Sequence, residues 1–115
     1  MRAAEELFDI FDRLNVPYYR QGSAPEKLPD RFYTFWEIDS DREGAFDNKE
    51  RFTVSRFGIW YYDTDIRRLY KEPDNIIREL ESAGWKLEGM PIDHVSENGL
   101  YCRHFRTLRI KEDIQ

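Results

Sequence analysis

Two stretches of this chain, Arg31 to Ile38 and Arg51 to Tyr62, constrain the fold more than any other feature, because they concentrate aromatic and β-branched residues. The first carries Phe32, Tyr33, Thr34, Phe35 and Trp36; the second carries Phe52, Thr53, Val54, Phe57, Ile59, Trp60, Tyr61 and Tyr62. Side chains of this kind cover a pleated surface well and lose χ1 freedom in a helix. Both stretches are expected as strands, paired as a long hairpin across the loop Ser40 to Glu50. In the second, the apolar parity changes: Phe52 and Val54 fall on one side, Phe57, Ile59 and Tyr61 on the other, with Gly58 nearby. A bulge or burial on both faces accounts for the change.

The remaining segments arrange themselves around that hairpin. From Ala3 to Leu14 the apolar positions Ala3, Leu7, Phe8, Ile10, Phe11 and Leu14 recur at helical steps, which predicts an amphipathic helix closed by Asn15 before Pro17. Tyr18-Tyr19-Arg20 reads as a short edge strand, and Gly22 to Asp30 as a loop. Asp63 and Asp65 open a helical segment. Because proline fits a first turn best, the main helix is expected from Pro73 to Ala83, ending at Gly84, with a turn of helix before it. Trp85 to Val95 and Leu100 to Ile110 bracket Ser96-Glu97-Asn98-Gly99, and Asn-Gly accepts the two positive φ angles of a tight hairpin. Helix, strand, hairpin, helix, hairpin predicts an α+β fold: an antiparallel sheet of four to five strands with two helices packed on one face.

One domain over residues 1–115 suits the length. Eighteen Lys and Arg against 23 Asp and Glu leave a net charge of −5, the wrong sign for wrapping a phosphate backbone. Sequence-specific nucleic-acid binding is therefore disfavoured. Three Trp, seven Tyr and eight Phe supply enough buried area for a stable core despite the high charge content. No apolar run approaches the ~20 residues of a membrane span, and the acidic start Met1-Arg2-Ala3-Ala4-Glu5-Glu6 is unlike a secretory leader; a cytoplasmic protein is expected. Cys102 is the one cysteine, so neither an intrachain disulfide nor a multi-thiolate zinc site is expected.

Chemistry-bearing patterns are few. Asp39, Asp41, Glu43, Gly44 and Glu50 fall at positions one, three, five, six and twelve of a calcium-loop pattern, with Ala45 and Phe46 at seven and eight. Strands rather than helices flank it, and a solvated acidic hairpin tip is the preferred reading. Cys102 and His104, two apart on one strand, share a face as a thiol and its base would, with His94 on the facing strand; a packed cysteine and a surface or interface histidine are preferred. Asp63-Thr64-Asp65 suits helix capping better than acid-base work. Arg103, Arg106 and Arg109 with Tyr101 and Phe105 form an aromatic-basic pattern, for which a solvated or subunit-facing strand is preferred over single-stranded nucleic acid. No phosphate loop, Gly-x-Ser-x-Gly elbow or His-Glu-x-x-His occurs, so no catalytic residue, cofactor or metal is assigned.

Several segments together carry a resemblance. They are Asn15-Val16-Pro17-Tyr18, Leu28-Pro29-Asp30-Arg31-Phe32-Tyr33-Thr34-Phe35, Gly44-Ala45-Phe46-Asp47-Asn48, Phe57-Gly58-Ile59-Trp60-Tyr61-Tyr62, Leu80-Glu81-Ser82-Ala83-Gly84-Trp85 and Asn98-Gly99-Leu100-Tyr101-Cys102-Arg103-His104-Phe105. Over residues 5–110 the chain resembles the tail-completion or tail-terminator proteins of long-tailed phages and prophages, a minor structural protein family, with Asp65 to Lys71 as an insertion. The resemblance implies a non-enzymatic virion protein that assembles with itself into a ring, commonly a hexamer. That ring would cap the tail tube protein and face the head-tail connector protein, on the virion tail after assembly in the host cytoplasm. The interface candidates on that reading are Tyr18 and Tyr19 on the edge strand and Asp41, Glu43, Phe46, Asp47 and Asn48 in the acidic loop. An acidic lumen would let DNA slide. The alternative from another class is a small acidic regulatory or inhibitory protein-binding domain.

Overall fold

The structure is a computed structural model, and it describes residues 2–43, 50–95 and 98–114, of which the side chains of 41–43, 50–51 and 112–114 are left aside. It is an α+β fold with two helices and one five-stranded sheet: α1 (Ala3–Leu14), β1 (Tyr18–Arg20), β2 (Arg31–Glu43), β3 (Glu50–Asp63), α2 (Ile66–Ser82), β4 (Lys86–His94) and β5 (Tyr101–Ile114). The strand order is β1-β2-β3-β5-β4. β2 and β3 form the expected long hairpin, and strands of 13 and 14 residues, about 43–46 Å at ~3.3 Å per residue, make up most of the 54 Å long axis.

The sheet is mixed rather than wholly antiparallel. β1 runs parallel to β2, with Tyr18 beside Tyr33 and Arg20 beside Phe35. The reason is the connection 21–30, which returns the chain to the end of the sheet where β1 began, so β2 starts in the same direction. The other three pairings are antiparallel.

Strand alternation divides the sheet into two unlike faces. Tyr33, Phe35, Phe57, Ile59, Tyr61 and Phe105 join Ala3, Leu7, Ile10 and Phe11 of α1 and Leu69, Ile76 and Leu80 of α2 in the buried core. Phe11 lies 4.8 Å from the Tyr18 ring and 5.1 Å from Tyr33. Cross-strand partners share a face, so the opposite, outer face carries Phe32, Thr34, Trp36, Gly58, Trp60, Tyr62, Cys102, His104 and Arg106. Burial on both faces therefore explains the parity change in β3. The bulge lies elsewhere, on β2 between Glu37 and Asp39.

Three boundaries differ from expectation. β2 continues through Glu43 and β3 begins at Glu50, so Ser40 to Glu43 and Glu50 of the expected loop are strand. The long β3–β5 ladder, which reaches Glu50 opposite Ile114, gives those residues a template. The second difference is α2, one continuous helix with Pro73 inside it, covering Asp65 to Lys71 apart from its cap. An internal proline forfeits a backbone hydrogen bond at about 3 kcal/mol. Burial of Leu69, Pro73, Ile76 and Leu80 along one stripe offsets that, and so do ties at the adjacent turn: Arg31 donates to the Glu72 carboxylate at 2.8 Å, and the Tyr33 hydroxyl to the Glu72 carbonyl at 3.4 Å. The third is β5, which extends four residues beyond Ile110.

The helix ends and the last turn follow their residues. Asn15 closes α1 at φ 57°, and Asp65 caps α2 by accepting from the Arg67 N–H at 2.9 Å. Gly84, at φ 93°, lets the Trp85 N–H reach back to the Leu80 carbonyl. Asn98 and Gly99 take φ 60° and 74° in the β4–β5 hairpin.

Candidate interaction surface

The outer face carries a cluster of aromatic and basic side chains. Trp36 on β2, Gly58 on β3 and Arg106 on β5 form one cross-strand row, and Thr34, Trp60 and His104 form the next. Gly58 matters because it has no side chain. A Cβ there would sit 2.8 Å from the Trp60 ring and 3.4 Å from the His104 ring, so the Trp60 indole lies over the glycine. Trp60 also stacks on His104, with centroids 4.5 Å apart and planes at 21°. Trp36 remains 41% exposed, and the Arg20 guanidinium lies 4.5 Å from its ring centroid as a cation–π pair. The result is a platform running from Arg20 over Trp36 and Trp60 to His104 and Arg106.

The platform carries charges of both signs, with Glu88 of β4 opposite Arg106 in the register. Arg106 is exposed and forms no ion pair with any described residue, and Arg20 has the Trp36 ring rather than a carboxylate. Burial, then the charges of Arg106 and His94, hold the His104 pKa below the ordinary imidazole value. His104 is therefore a neutral stacking ring at pH 7, and the arginines carry the positive charge. Beside the platform, a cavity of about 300 Å³ lies between the 21–30 connection and the β4–β5 hairpin, lined by Leu28, Phe32, Thr34, Tyr62, His94 and Leu100 among others. A groove of about 400 Å³ opens where α1 meets β1.

The structure treats the sequence candidates unequally. Asp39 to Glu43 is extended strand, not the wrapped start of a cation loop, and the Asp39 carboxylate takes a hydrogen bond from Arg56 at 3.0 Å. Gly44 to Asn48, which includes Phe46, Asp47 and Asn48, and the side chains of Asp41, Glu43 and Glu50 lie outside the described residues. Among the described residues no three His, Cys, Asp or Glu side chains converge as a metal site. Tyr18 is half-buried against Phe8 and Phe11, and Tyr19 packs edge-on against Phe32; both line the α1–β1 groove.

Cys102 is 2% exposed and its thiol is pushed up to about 11 by burial, so it is protonated at neutral pH. His94 does lie opposite Cys102 in the register. The aromatic-basic pattern on β5 is split by alternation. Phe105 is buried in the core, Arg103 is held by Asp93 at 2.8 Å and Arg109 by Glu6 at 3.2 Å, which leaves Arg106 alone on the outer face.

Asp63 and Asp65 divide their tasks. Asp65 caps α2, while Asp63 is fully buried and accepts from Arg68, the Tyr61 hydroxyl and the Asp65 N–H. Sequence reasoning missed the platform because Arg20, Trp36, Trp60 and Arg106 are distant in the chain and meet only through the register. The one local signal was Gly58 two residues before Trp60.

No helix among the described residues is long and apolar enough to cross a membrane. A comparison with protein-family models and with curated proteins finds no match.

Proposed function

We propose that this chain is a non-enzymatic structural protein of long-tailed phages or prophages, forming a ring at the head-proximal end of the tail tube. There it terminates tube polymerisation and joins the tail to the head connector. The observation that carries the reading is the Arg20–Trp36–Trp60–His104–Arg106 platform, in which Arg20, Trp36 and Arg106 are exposed and Trp60 and His104 half-buried. Trp and Arg dominate the energetics of protein interfaces, and an exposed aromatic surface rimmed by charge is how monomers store a contact for assembly. The resemblance over residues 5–110 supplies the partners: further copies of the chain, commonly six, the tail tube protein and the connector protein. The acidic balance of the chain suits a conduit through which DNA must slide.

The same platform favours a second reading, a small acidic regulatory or inhibitory domain that uses the platform against one partner. Electron microscopy of particles assembled without the chain separates the two. Overlong, headless tubes support termination; tubes of normal length joined to heads exclude it and leave the binding domain.

A further inference from the structure

We propose that the cavity of about 300 Å³ between the 21–30 connection and the β4–β5 hairpin is a binding site for a small neutral phenol of one or two rings. None of its residues belongs to the platform, so the site stands or falls apart from the ring. Its floor lies on the outer face. Phe32 is opposite Tyr62 in the register, and the two rings stack at 4.8 Å with their planes 15° apart.

The walls come from two separate elements. In the 21–30 connection Ala24 and Leu28 are half-buried and line the cavity, while Ser23, Pro25, Glu26 and Lys27 around them are exposed. Both ends of that connection are tied: the Gln21 N–H donates to the Phe35 carbonyl at 2.9 Å, and the Thr64 N–H to the Asp30 carbonyl at 3.0 Å. Leu100, buried at the start of β5, supplies apolar lining from the hairpin, together with exposed Val95 and Asn98.

Charge, volume and one stranded hydroxyl choose the occupant. No described residue that lines the cavity is Asp, Glu, Lys or Arg, so a phosphate, carboxylate or ammonium group would lose its hydration there without meeting a counter-charge. An apolar cavity of about 150 Å³ holds one benzene, so this one takes a molecule of up to two fused rings. Thr34, which lines the cavity, is 5% exposed, and its Oγ1 is buried without a hydrogen bond at proper geometry, although the Tyr62 hydroxyl lies beside it. Burial raises the Tyr62 pKa, so its phenol stays protonated at pH 7 and both hydroxyls can donate and accept. A ligand hydroxyl uses such a pair in full, accepting from one and donating to the other. A bare hydrocarbon would leave the Thr34 hydroxyl stranded.

The test is nitrogen-15-resolved NMR of the full-length chain titrated with naphthol, and in parallel with naphthalenesulfonate as its charged counterpart. Naphthol is expected to give saturable shifts at the amides of Ala24, Leu28, Thr34, Tyr62 and Leu100, with a Kd of roughly 0.1–1 mM for a ligand of its size; naphthalenesulfonate is expected to give none. Ala24→Trp, which puts a ring into the cavity, is expected to weaken binding by at least about tenfold, and Thr34→Val, which keeps the shape and removes the hydroxyl, by about fivefold. Unchanged far-ultraviolet circular dichroism and Tm are the folding control for both, and the comparison of the two ligands on the wild type needs no variant. Absence of saturable shifts at these amides, or wild-type affinity in Ala24→Trp, overturns the site. An equal response to naphthalenesulfonate, or wild-type affinity in Thr34→Val, overturns its assignment to a neutral phenol. Tube length in particles lacking the chain judges the ring reading separately.

Discussion

Replacing Asp63 by Asn tests the junction between β3 and α2, on which the placement of the second helix depends. Asp63 is fully buried; Arg68 reaches its two oxygens at 2.9–3.2 Å, the Asp65 N–H donates at 2.8 Å, and the Tyr61 hydroxyl donates as well. Asn keeps the shape but turns one acceptor into a donor. Arg68 is 41% exposed and can turn to water, so its share of the loss is small. The Tyr61 hydroxyl and the Asp65 N–H sit on different oxygens of Asp63, so the one oxygen Asn keeps serves only one of them, and leaving the other donor facing an amide N–H costs about 1–3 kcal/mol.

For a domain of this size that is a fall in Tm of about 4–12 °C. Urea titration followed by far-ultraviolet circular dichroism measures it. A loss below about 0.5 kcal/mol would mean that the carboxylate contributes nothing that an amide does not, and that Asp63 does not hold the junction. The pH dependence follows in sign. Burial raises the Asp63 pKa, but Arg68, Tyr61 and the Asp65 N–H outweigh it and hold the folded value below 3.8. The stability it confers is present above that value and is lost as pH falls below it.

The platform and the core thiol make three further predictions. Gly58→Val drives a side chain into the Trp60 ring, so near-ultraviolet circular dichroism and tryptophan fluorescence should change while far-ultraviolet spectra persist; unchanged tryptophan signals would contradict the placement of the indole. His104 has a folded pKa below 6.5, so the unfolded chain binds the proton first and stability falls as pH drops through that value. His104→Gln should flatten the stability profile between pH 7 and pH 5, and an unaltered slope would show that another group titrates there. Cys102, with its thiol near 11 and 2% exposed, should react with a disulfide reagent at pH 8 only on the timescale of unfolding; rapid labelling would show that it is accessible.

How legible the fold was depended on how local each determinant is. Asn15, Asp65 and Asn98-Gly99 act within a few residues of themselves, and each lies where its backbone preference places it. Pro73 misled because its local cost is overridden by the buried stripe Leu69, Ile76 and Leu80 and by Arg31 and Tyr33, which reach it from 40 residues away. The parallel pairing of β1 was not legible, since three residues carry no signal for direction. Nor were the outer end of the hairpin and the platform, because both depend on which residue of β2 faces which residue of β3 and on which residue of β5 lies beyond it. Trp36 and Trp60 are two visible aromatics in the chain; only the register, with Gly58 between Trp36 and Arg106, makes them a surface.

The proposed place of this chain at the head-proximal end of the tail tube is tested by gold labelling of a tagged copy on isolated tails, read by electron microscopy. Label is expected at the head-proximal end of each tail and nowhere along the tube. Tails without label, from cells in which the tagged chain is soluble and abundant, would contradict it.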